Sequence, residues 1–541
     1  MANLTDESIS TLITFLKERP RATRHDNRTY IDTGNNLKLI ILPRHTVVFG
    51  RRGSGKTMLL SELAKKAESN KQGVVWIDVD DYKTLTFPDI LIQILRSLFK
   101  ALAADVRKYV PWYALHRHIK NRKHLRGLRN EEKYLAGLLQ RFEESDLHVD
   151  EQFGQKFFDN RDSGIKASKL LTAEIKDSRG SERSHSRAEM AAGRDRKIDH
   201  IERHLHDAKS LLADTLIVGS STYFLILDDF YHLTIDDQAK VLDYLQSLSK
   251  NLNVHIKFGT IAHRSNLYSR GRGLIQGMQK EHDVLPIDLD RTFQNFQEVE
   301  QFIRHLWNQI RNIDDWLFGG DSWQQLILAS GGVPRDFMNL LSRAIELGRA
   351  KGKDRLDVFL VNEAANLYLR ETKHEDLISE KAEETGEIEQ MLLDIRNFCT
   401  NERKRNLFLI SKDDLESKPH QMEMLRQLLD YRFVHLVHSN TSVAGKAGRF
   451  EAYMLDVGLY AHPQRRGDNR VKQVDFLARD DQHRADAIRT QPIYTLKETY
   501  LPNGDSPFAP PTELEEAEIT IKETTQQQAN IDEPVQMFLQ F

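Results

Sequence analysis

The residues with the clearest chemistry form a glycine-rich run that matches G-x-x-x-x-G-K-T. Glycine backbones can turn their N–H groups inward onto a triphosphate. We expect Lys56 to reach the β- and γ-phosphates of a nucleotide and Thr57 to hold Mg²⁺. The predicted nucleotide contacts are Gly50, Arg51, Arg52, Gly53, Ser54, Gly55, Lys56, Thr57 and Met58.

A phosphate loop works only where a strand runs into the N-terminus of a helix. The loop follows an apolar, β-branched run over residues 46–49, and Leu59 and Leu60 begin an apolar helix face after it. The helix would add the positive end of its dipole to the phosphate site. A glycine-rich turn that matches by chance is the alternative, and the flanking strand and helix favour a nucleotide-binding loop.

Two acidic residues, Asp228 and Asp229, end a second apolar run that begins at Tyr223. We predict that this strand lies beside the phosphate loop. Asp228 would then join the Mg²⁺ shell, and Asp229 would orient or deprotonate the attacking water. Many buried strands end in acids, so the pattern takes its meaning from the phosphate loop upstream.

A third apolar run begins at Val254 and ends in polar and cationic groups. Ligands of open α/β sheets bind at the carboxyl edge of the strands. We therefore predict that Thr260 or Arg264 senses the γ-phosphate. The alternative for Arg264 is an ion pair with an acid on the rim of the sheet.

Composition limits the class of protein. A chain of 541 residues is too long for one hydrophobic core, so about two to four domains are expected. The formal net charge of −3 gives no global attraction to nucleic acid. Cys399 is the only cysteine, which excludes disulfide frameworks and cysteine-based zinc sites. Without signal-peptide regions or an apolar run of ~18 residues, we expect a cytoplasmic protein that does not contact membranes.

The alternation of strands and helices predicts an α/β fold, with a parallel sheet and helices on both faces. A helix beginning at Pro334 carries Arg335 in its first turn. Linkers are predicted over residues 178–197 and 372–386. The predicted divisions are an N-terminal helix and strand (1–40), a core in two parts (41–99 and 215–290) around a helical insert (100–214), a helical lid (291–371), a winged helix (387–460) and a tail (461–541).

Two basic regions are candidates for binding DNA. The first extends from Arg107 to Arg129 and interleaves lysines and arginines with aromatic residues. Such a mixture suits phosphates and stacked bases, and the alternative is a solvated helix with its aromatic side chains packed inward. The second is the turn of a predicted β-hairpin near the C-terminus, which carries Lys446 and Arg449. Helices followed by a hairpin with a basic tip describe a winged helix.

At this point four motifs resemble those of a known group. Residues 50–57 resemble Walker A, residues 224–229 resemble Walker B, residues 260–264 resemble a sensor-1 strand, and residues 332–335 resemble the G-x-P-R of a sensor-2 lid helix. With the lid and the winged helix, the chain is similar to AAA+ and STAND P-loop ATPases, especially the branch that contains origin-recognition initiators. Bacterial members of the group include anti-phage defence ATPases and transposition regulators.

The resemblance implies an ATPase that uses ATP and Mg²⁺ to control oligomerisation and the engagement of DNA or an effector protein, in bacterial anti-phage defence or another setting. It implies that the γ-phosphate is sensed by Lys56, Thr260, Arg264 and Arg335. It also implies that Asp229 orients or deprotonates the attacking water. Most AAA+ proteins have Glu at the position of Asp229, so we expect slow turnover. The alternatives are a DNA-binding loader or regulator of replication or transposition, and a scaffold that binds ATP structurally.

The C-terminus carries a short peptide pattern, Q-x-x-L-x-F, that begins at Gln536 and ends at Phe541. It resembles the peptide by which bacterial replication proteins dock on the sliding clamp. Leu539 and Phe541 could fill adjacent apolar pockets of a clamp after an acidic tether. The alternative is that this apolar tail folds back onto its own domain or a neighbouring subunit.

Overall fold

The computed structural model divides the chain into two compact units, one of Arg21–Asp290 and one of Met1–Pro20 with Arg291–Phe541. Within residues 171–193 only the backbone is described. The residues that the structure describes are 3–4, 6–17, 24, 30–32, 34–108, 124–139, 171–271, 274–310, 315–381, 385–443, 445–461, 471–473, 476, 487–501 and 507–508.

A five-stranded parallel sheet forms the centre of the first unit, in the order β2-β3-β4-β1-β7. Every residue of β1 and β3 is buried, as expected for strands covered on both faces. A two-stranded hairpin, β5 and β6, lies between β4 and β7 in the chain. The strands are β1 (Thr46–Phe49), β2 (Gly73–Asp78), β3 (Tyr223–Asp228), β4 (Val254–Thr260), β5 (Tyr268–Gly271), β6 (Leu274–Gly277) and β7 (Leu285–Asp288).

Helices cover the sheet and form two apolar clusters with it. One cluster joins Leu59, Leu60 and Leu63 of α3 to strand residues such as Val48 and Ile226. The other joins α4 and α7 to the strands and to the helices of the insert. The helices of this unit are α2 (Asn36–Ile40), α3 (Lys56–Ser69), α4 (Asp89–Lys108), α5 (124–139), α6 (Leu171–Val218) and α7 (Ile235–Ser249).

The insert is an extension of the core. Leu128 and Leu135 of α5 and Leu212 of α6 are buried in the same cluster as Leu102 of α4 and Leu245 of α7. Residues 178–197, predicted to be a linker, lie within α6, so that prediction is wrong. The central part of the basic stretch from Arg107 to Arg129, residues 109–123, lies outside the described residues.

The strand predicted within residues 1–40 is also wrong, because residues 36–40 are helical. The segment forms the short helix α2, because the carboxylate of Asp32 accepts hydrogen bonds from the backbone N–H groups of Asn36 (2.7 Å) and Leu37 (3.1 Å). These are the first residues of the helix, where such a cap satisfies orphan donors. Ile40 still packs under the sheet, which accounts for the apolar pattern.

The second unit begins with a helical region. Asn339 of α10 donates to the phenol of Tyr368 in α11 (3.1 Å), and Arg349 of α10 donates to the carbonyl of Leu4 before α1 (2.6 Å). The predicted linker over residues 372–386 is wrong for its first part, because a π-helical turn containing the buried Lys373 leads into α12. The helices are α1 (Glu7–Lys17), α8 (Phe296–Ile310), α9 (Ser322–Ala329), α10 (Pro334–Ala350), α11 (Val358–Tyr368) and α12 (His374–Lys381).

The predicted winged helix is confirmed. Its elements follow the order helix, strand, helix, helix, strand, strand, and its sheet is antiparallel in the order β8-β10-β9. A short helix, α16 (Val457–Tyr460), follows the sheet. The other elements are α13 (Thr385–Asn397), β8 (Leu407–Ser411), α14 (Lys412–Ser417), α15 (Pro419–Asp430), β9 (Val434–Thr441) and β10 (Phe450–Leu455).

Part of the predicted C-terminal tail belongs to the winged helix. We call residues 491–500 the C-terminal strap. Leu409 of β8 donates its N–H to the carbonyl of Pro492 (2.9 Å), and Tyr494 donates to the carbonyl of Leu409 (2.8 Å). Tyr494 and Leu496 are buried. The strap therefore lies along the outer edge of the sheet.

Within the described residues, no helix is long and apolar enough to cross a membrane.

Candidate nucleotide-binding site

The predicted phosphate loop lies between β1 and α3, the context that its chemistry requires. Gly53 and Gly55 have φ angles of 84° and 101°, a region that favours glycine. Gly50 is needed for another reason. A Cβ atom there would lie 2.3 Å from Oγ of Ser54, so a side chain would push the loop open.

Lys56 is buried at the first position of α3. Its Nζ donates hydrogen bonds to the carbonyl oxygens of Gly50 (2.9 Å) and Arg51 (3.1 Å). The ammonium group is thereby held against the loop that it follows. Phosphate oxygens carry negative charge and these carbonyls do not, so a bound phosphate would add charge attraction to the hydrogen bonds of the ammonium group.

The acidic strand β3 and the phosphate-loop strand β1 are not neighbours in the sheet. β4 lies between β1 and β3 and pairs with both. Asp228 nevertheless forms a side-chain hydrogen bond with Thr57. This contact crosses β4 at Gly259, where a Cβ atom would lie 3.2 Å from Oδ1 of Asp228 and 3.5 Å from Cβ of Lys56. The absence of a side chain at Gly259 lets the two halves of the site meet.

Burial raises the pKa of Asp228 above its ordinary value, and the neighbouring Asp229 raises it further. The hydrogen bond from Thr57 and the charge of Lys56 act in the opposite direction. A buried carboxyl group beside a second acid lacks sufficient positive charge to stay ionised. A divalent cation would supply that charge.

Asp229 follows Asp228 with a left-handed backbone (φ 51°) and is half-buried. Its N–H donates to Oδ1 of Asp228 (3.1 Å). Asp78 pairs with Asp228 in the sheet register, and its pKa is raised by burial and, further, by Asp229. The carboxyl ends of β2 and β3 therefore bring three acids to the edge of the sheet.

Thr260 and Arg264 lie at the same edge, after the carboxyl end of β4. The hydroxyl of Thr260 is fully buried and shares a hydrogen bond with Oγ of Ser265 (2.5 Å), while its carbonyl accepts from the N–H of Gly50 (3.1 Å). Arg264 is partly buried in a short 3₁₀ turn, and its carbonyl accepts from Nε2 of Gln238 (2.9 Å). Their roles toward the γ-phosphate remain predictions.

Arg51 is turned away from the site by an acid near the end of β7. Its backbone N–H and its Nε both approach Oδ1 of Asp290, at 2.8 and 3.3 Å. This pair joins the loop to the neighbouring strand. The backbone N–H of Arg51, predicted to face the phosphates, has a partner of its own.

The remaining candidates belong to other parts of the chain. Arg335 is in the first turn of α10, in the second unit, and its role in the site remains a prediction. Arg107 and Arg129 are exposed on the insert, and Lys446 and Arg449 are exposed on the wing. The peptide from Gln536 to Phe541 lies outside the described residues.

Three residues of the site escaped prediction, namely Gly259, Asp290 and Tyr231. Gly259 is the last residue but one of β4, and a glycine within a strand often marks a close approach, so the sequence carries a signal for it. Asp290 gives no local signal, because its partner Arg51 is 239 positions away. Tyr231 follows the two acids directly, and only the structure shows its ring near Lys56.

The site fits a triphosphate with Mg²⁺. Oγ of Ser54 is buried at the loop and has no hydrogen-bond partner among the described residues, as suits a donor to phosphate. No group of three or more His, Cys, Asp or Glu in the described part of the chain could hold a metal. Mg²⁺ needs no such group, since one or two carboxylates and substrate phosphates commonly hold it. Thr57 and Asp228 would hold it here.

No protein-family model matches the chain, and no curated protein matches it. Among solved structures it is similar to Cdc6p from Pyrobaculum aerophilum (13% identity, 80% of this chain and 93% of that one, TM-score 0.32). It is also similar to the Aeropyrum pernix ORC2 protein (11%, 86% and 96%, TM-score 0.35) and the Thermotoga maritima RuvB Holliday junction branch migration motor (10%, 65% and 76%, TM-score 0.28).

At these identities and TM-scores the fold is assigned from the chain itself. The phosphate loop lies between β1 and α3, the acidic strand follows in the same parallel sheet, and a helical region and a winged helix come after it. The chain has a P-loop NTPase fold with a C-terminal winged helix.

Proposed function

We propose that the chain is a Mg²⁺-dependent ATPase with slow turnover, whose nucleotide state controls its assembly and its engagement of DNA or an effector protein. One observation carries the proposal. Across Gly259, Asp228 at the end of β3 meets Lys56 and Thr57 at the start of α3, although β3 and α3 are far apart in the sequence. That convergence is what binding of a metal–triphosphate requires.

The residues of the chain would divide the work as follows. Lys56 would neutralise charge on the terminal phosphates, and Thr57 and Asp228 would hold Mg²⁺, which would supply further positive charge to the phosphates. Asp229 holds the attacking water and takes up its proton. Since an aspartate has a shorter side chain than a glutamate, its reach to the water is reduced, and slow turnover follows.

ATP binding and turnover by purified protein test this proposal. Lys56→Ala is expected to abolish both, because it removes the cation from the phosphates. Asp229→Ala should retain ATP on a filter without turnover. Asp236→Ala, at an exposed acid in the first turn of α7, is the matched control and should behave as the wild type. ATP turnover by Lys56→Ala at the wild-type rate would reject the proposal.

The switching part of the proposal concerns size. ATP differs from ADP by one phosphate, and a protein can change state only through groups that distinguish the two. We expect the particle mass in solution to differ between the ATP and ADP states, as measured by light scattering. Equal masses, with no partner captured selectively in one state, would leave ATP a structural ligand. Control of an effector protein in bacterial anti-phage defence also remains a prediction.

A second candidate function, DNA binding in replication or transposition, is favoured by the wing. Lys446 and Arg449 are exposed there. The pKa of His438 on β9 is lowered by burial and then by the charges of Arg489 and Lys412, which shows that cations gather on this side. Phosphate contacts of this kind bind DNA without reading its sequence.

Charge reversal at the wing tests this candidate. Lys446→Glu combined with Arg449→Glu should weaken duplex DNA binding and flatten its dependence on salt. Arg426→Glu on α15 is the control and should leave binding unchanged. Equal binding by the wild type and the wing variant would indicate that the wing docks on protein instead.

A further inference from the structure

The turn after β3 aims one aromatic ring at the phosphate loop. Asp229 reverses the chain, and a 3₁₀ turn, Phe230–His232, follows. Phe230 is fully buried, with its ring 5.0 Å from that of Phe258. Because Phe230 anchors the turn in the core, Tyr231 is left at the surface of the site, half-buried.

Two cations of the phosphate loop meet on the Tyr231 ring. Nζ of Lys56 lies 5.6 Å from the ring centroid, and Cζ of Arg52 lies 5.7 Å from it. An aromatic face attracts a cation within about 6 Å, by about 0.5–2 kcal/mol. The ring therefore holds two positive charges that would otherwise repel one another.

Two like charges held together suit an anion. A guanidinium group presents a planar fork of donors that matches phosphate oxygens, and an ammonium group acts as a compact point charge. The neighbouring Arg51 is less suited to such a role, because Asp290 accepts hydrogen bonds from its backbone N–H and its Nε. Arg52 lies over the same ring as Lys56.

We infer that Arg52 is a second cation for the terminal phosphate of ATP, supplied from within the phosphate loop, and that Tyr231 positions Arg52 and Lys56 for it. The inference rests on the proposed function and adds a residue that distinguishes ATP from ADP. Arg52 binds the phosphate. Tyr231 acts through its ring and does not touch the reacting atoms.

Equilibrium affinities for ATP and ADP, measured by calorimetry in excess Mg²⁺, test the inference without relying on turnover. Arg52→Ala should lower the affinity for ATP by about 10- to 100-fold, the range of a lost charge-assisted hydrogen bond, and that for ADP by less than about 3-fold. Tyr231→Ala should lower the ATP affinity in the same selective way. Tyr231→Phe keeps the ring and should match the wild type.

The matched control is Arg44→Ala. Arg44 precedes β1, at the opposite end of that strand from the loop, and Nη2 of Arg44 donates to the carbonyls of Glu281 and His282. It should change neither affinity. Arg52→Gln keeps most of the side-chain volume and should repeat the loss seen with Arg52→Ala, so a folding defect in one variant does not decide the result. Melting curves check that each variant folds.

Equal losses of ATP and ADP affinity in Arg52→Ala would show that Arg52 supports the loop without reaching the terminal phosphate, and would overturn the inference. Unchanged affinities would overturn it as well. A matching loss in Tyr231→Phe would overturn the role of the ring. If the wild type itself fails to bind ATP, the proposed function fails, which is a different outcome.

Discussion

Two helix N-termini in this chain meet very different surroundings. Any helix start offers unpaired N–H groups and the positive end of a dipole to an anion. At α3, glycines, Lys56 and Arg52 surround that end. At α15, the second helix after β8 in the winged helix, the C-terminal strap lies across the first turn.

The strap binds the start of α15 through several polar contacts. Nζ of Lys418 donates to the carbonyl of Leu496 and pairs with Asp414 (3.0 Å) and Glu498 (3.4 Å). Nε2 of Gln421 donates to the carbonyl of Glu498. In helix-turn-helix proteins the N-terminal residues of the recognition helix contact the bases. Here acids and carbonyls face that turn.

The comparison teaches that topology alone does not assign a function. Both regions have the element order that their fold requires. Around the phosphate loop, side chains of the right charge are present as well, and Gly259 in β4 lets groups that are distant in the sequence meet. Function belongs to such local constellations, and a fold can host many or none. For the winged helix, we therefore expect DNA contacts at the wing and not at the start of α15.

The largest expected effect concerns the strap. Tyr494 is buried, its ring lies 5.2 Å from that of Phe398, and its phenol donates to Oδ2 of Asp394 (2.6 Å). Tyr494→Ala should lower the unfolding free energy of the second unit by about 3–5 kcal/mol, the usual cost of truncating a buried aromatic residue. Denaturant unfolding measures it.

Tyr494→Phe is the matched variant and should cost only about 1 kcal/mol, because it keeps the ring and loses one hydrogen bond. A cost below about 0.5 kcal/mol for Tyr494→Ala would mean that the strap is not part of the domain, and the contrast between the two helix starts would disappear.

The next effect concerns Gly259. Gly259→Val places atoms against Asp228 and Leu60, where even a Cβ would lie 3.2 and 3.3 Å from the nearest atoms. Overpacking of this kind displaces neighbouring side chains. Because Asp228 would shift relative to Thr57, we expect ATP affinity in Mg²⁺ to fall by roughly 10- to 100-fold, which corresponds to about 1.4–2.7 kcal/mol. Calorimetry measures the affinity.

Gly137→Val on α5 is the control, since no atom lies within 4 Å of a Cβ there. It should bind ATP as the wild type does. Wild-type affinity in Gly259→Val would show that the contact between Thr57 and Asp228 does not depend on a bare position in β4.

A smaller effect is expected at the start of α15. Lys418→Ala removes a donor to Leu496 and the partner of Asp414, and should lower the unfolding free energy by about 1–2 kcal/mol. ATP affinity should not change. Lys446→Ala on the exposed wing should stay within about 0.5 kcal/mol of the wild type. Equal effects in the two variants would show that the strap does not need the contacts at α15.

The last effect is a dependence on pH. Burial, together with neighbouring positive charge such as that of Lys257, lowers the pKa of both His45 and His255 to about 4. The unfolded chain takes up protons near pH 6.5, whereas the folded chain resists them down to about pH 4. Stability is therefore present above pH 6.5 and is lost as the pH falls from 6.5 toward 4.

Thermal melts across that range should show the loss in the first unit. Nδ1 of His45 accepts a hydrogen bond from the N–H of Ile256 (3.0 Å), and protonation would break it. His45→Asn with His255→Gln removes both titrating groups and should flatten the pH dependence. An equally steep dependence in that variant would assign it to other groups.

Much of the fold follows from patterns that are local in the sequence. The glycine loop, the apolar strands and the order of elements in the winged helix each occupy a short stretch, and local physics suffices for them. The strand order depends on pairing between distant segments. Lys257 of β4 pairs with Thr46 of β1, 211 positions away in the sequence, and the residues next to either one do not predict this pairing.

Other errors have specific causes. Residues 178–197 lack apolar periodicity, which predicts a linker. They instead form part of a helix whose later residues pack on the core. The strap was hidden in a polar tail, although Tyr494 and Leu496 alternate with polar residues as in an edge strand. In both cases the local sequence pattern is weak. The structure of the segment depends on packing against residues that are distant in the sequence.

The central claim is that Thr57 and Asp228 hold Mg²⁺ for a bound ATP. The most direct test compares the ATP affinity of the wild type with and without Mg²⁺, next to Asp228→Asn, by calorimetry. We expect Mg²⁺ to tighten wild-type binding at least about 10-fold, which corresponds to about 1.4 kcal/mol, and Asp228→Asn to lose that gain while keeping its metal-free affinity. The same gain in Asp228→Asn, or no ATP binding by the wild type, would contradict the account.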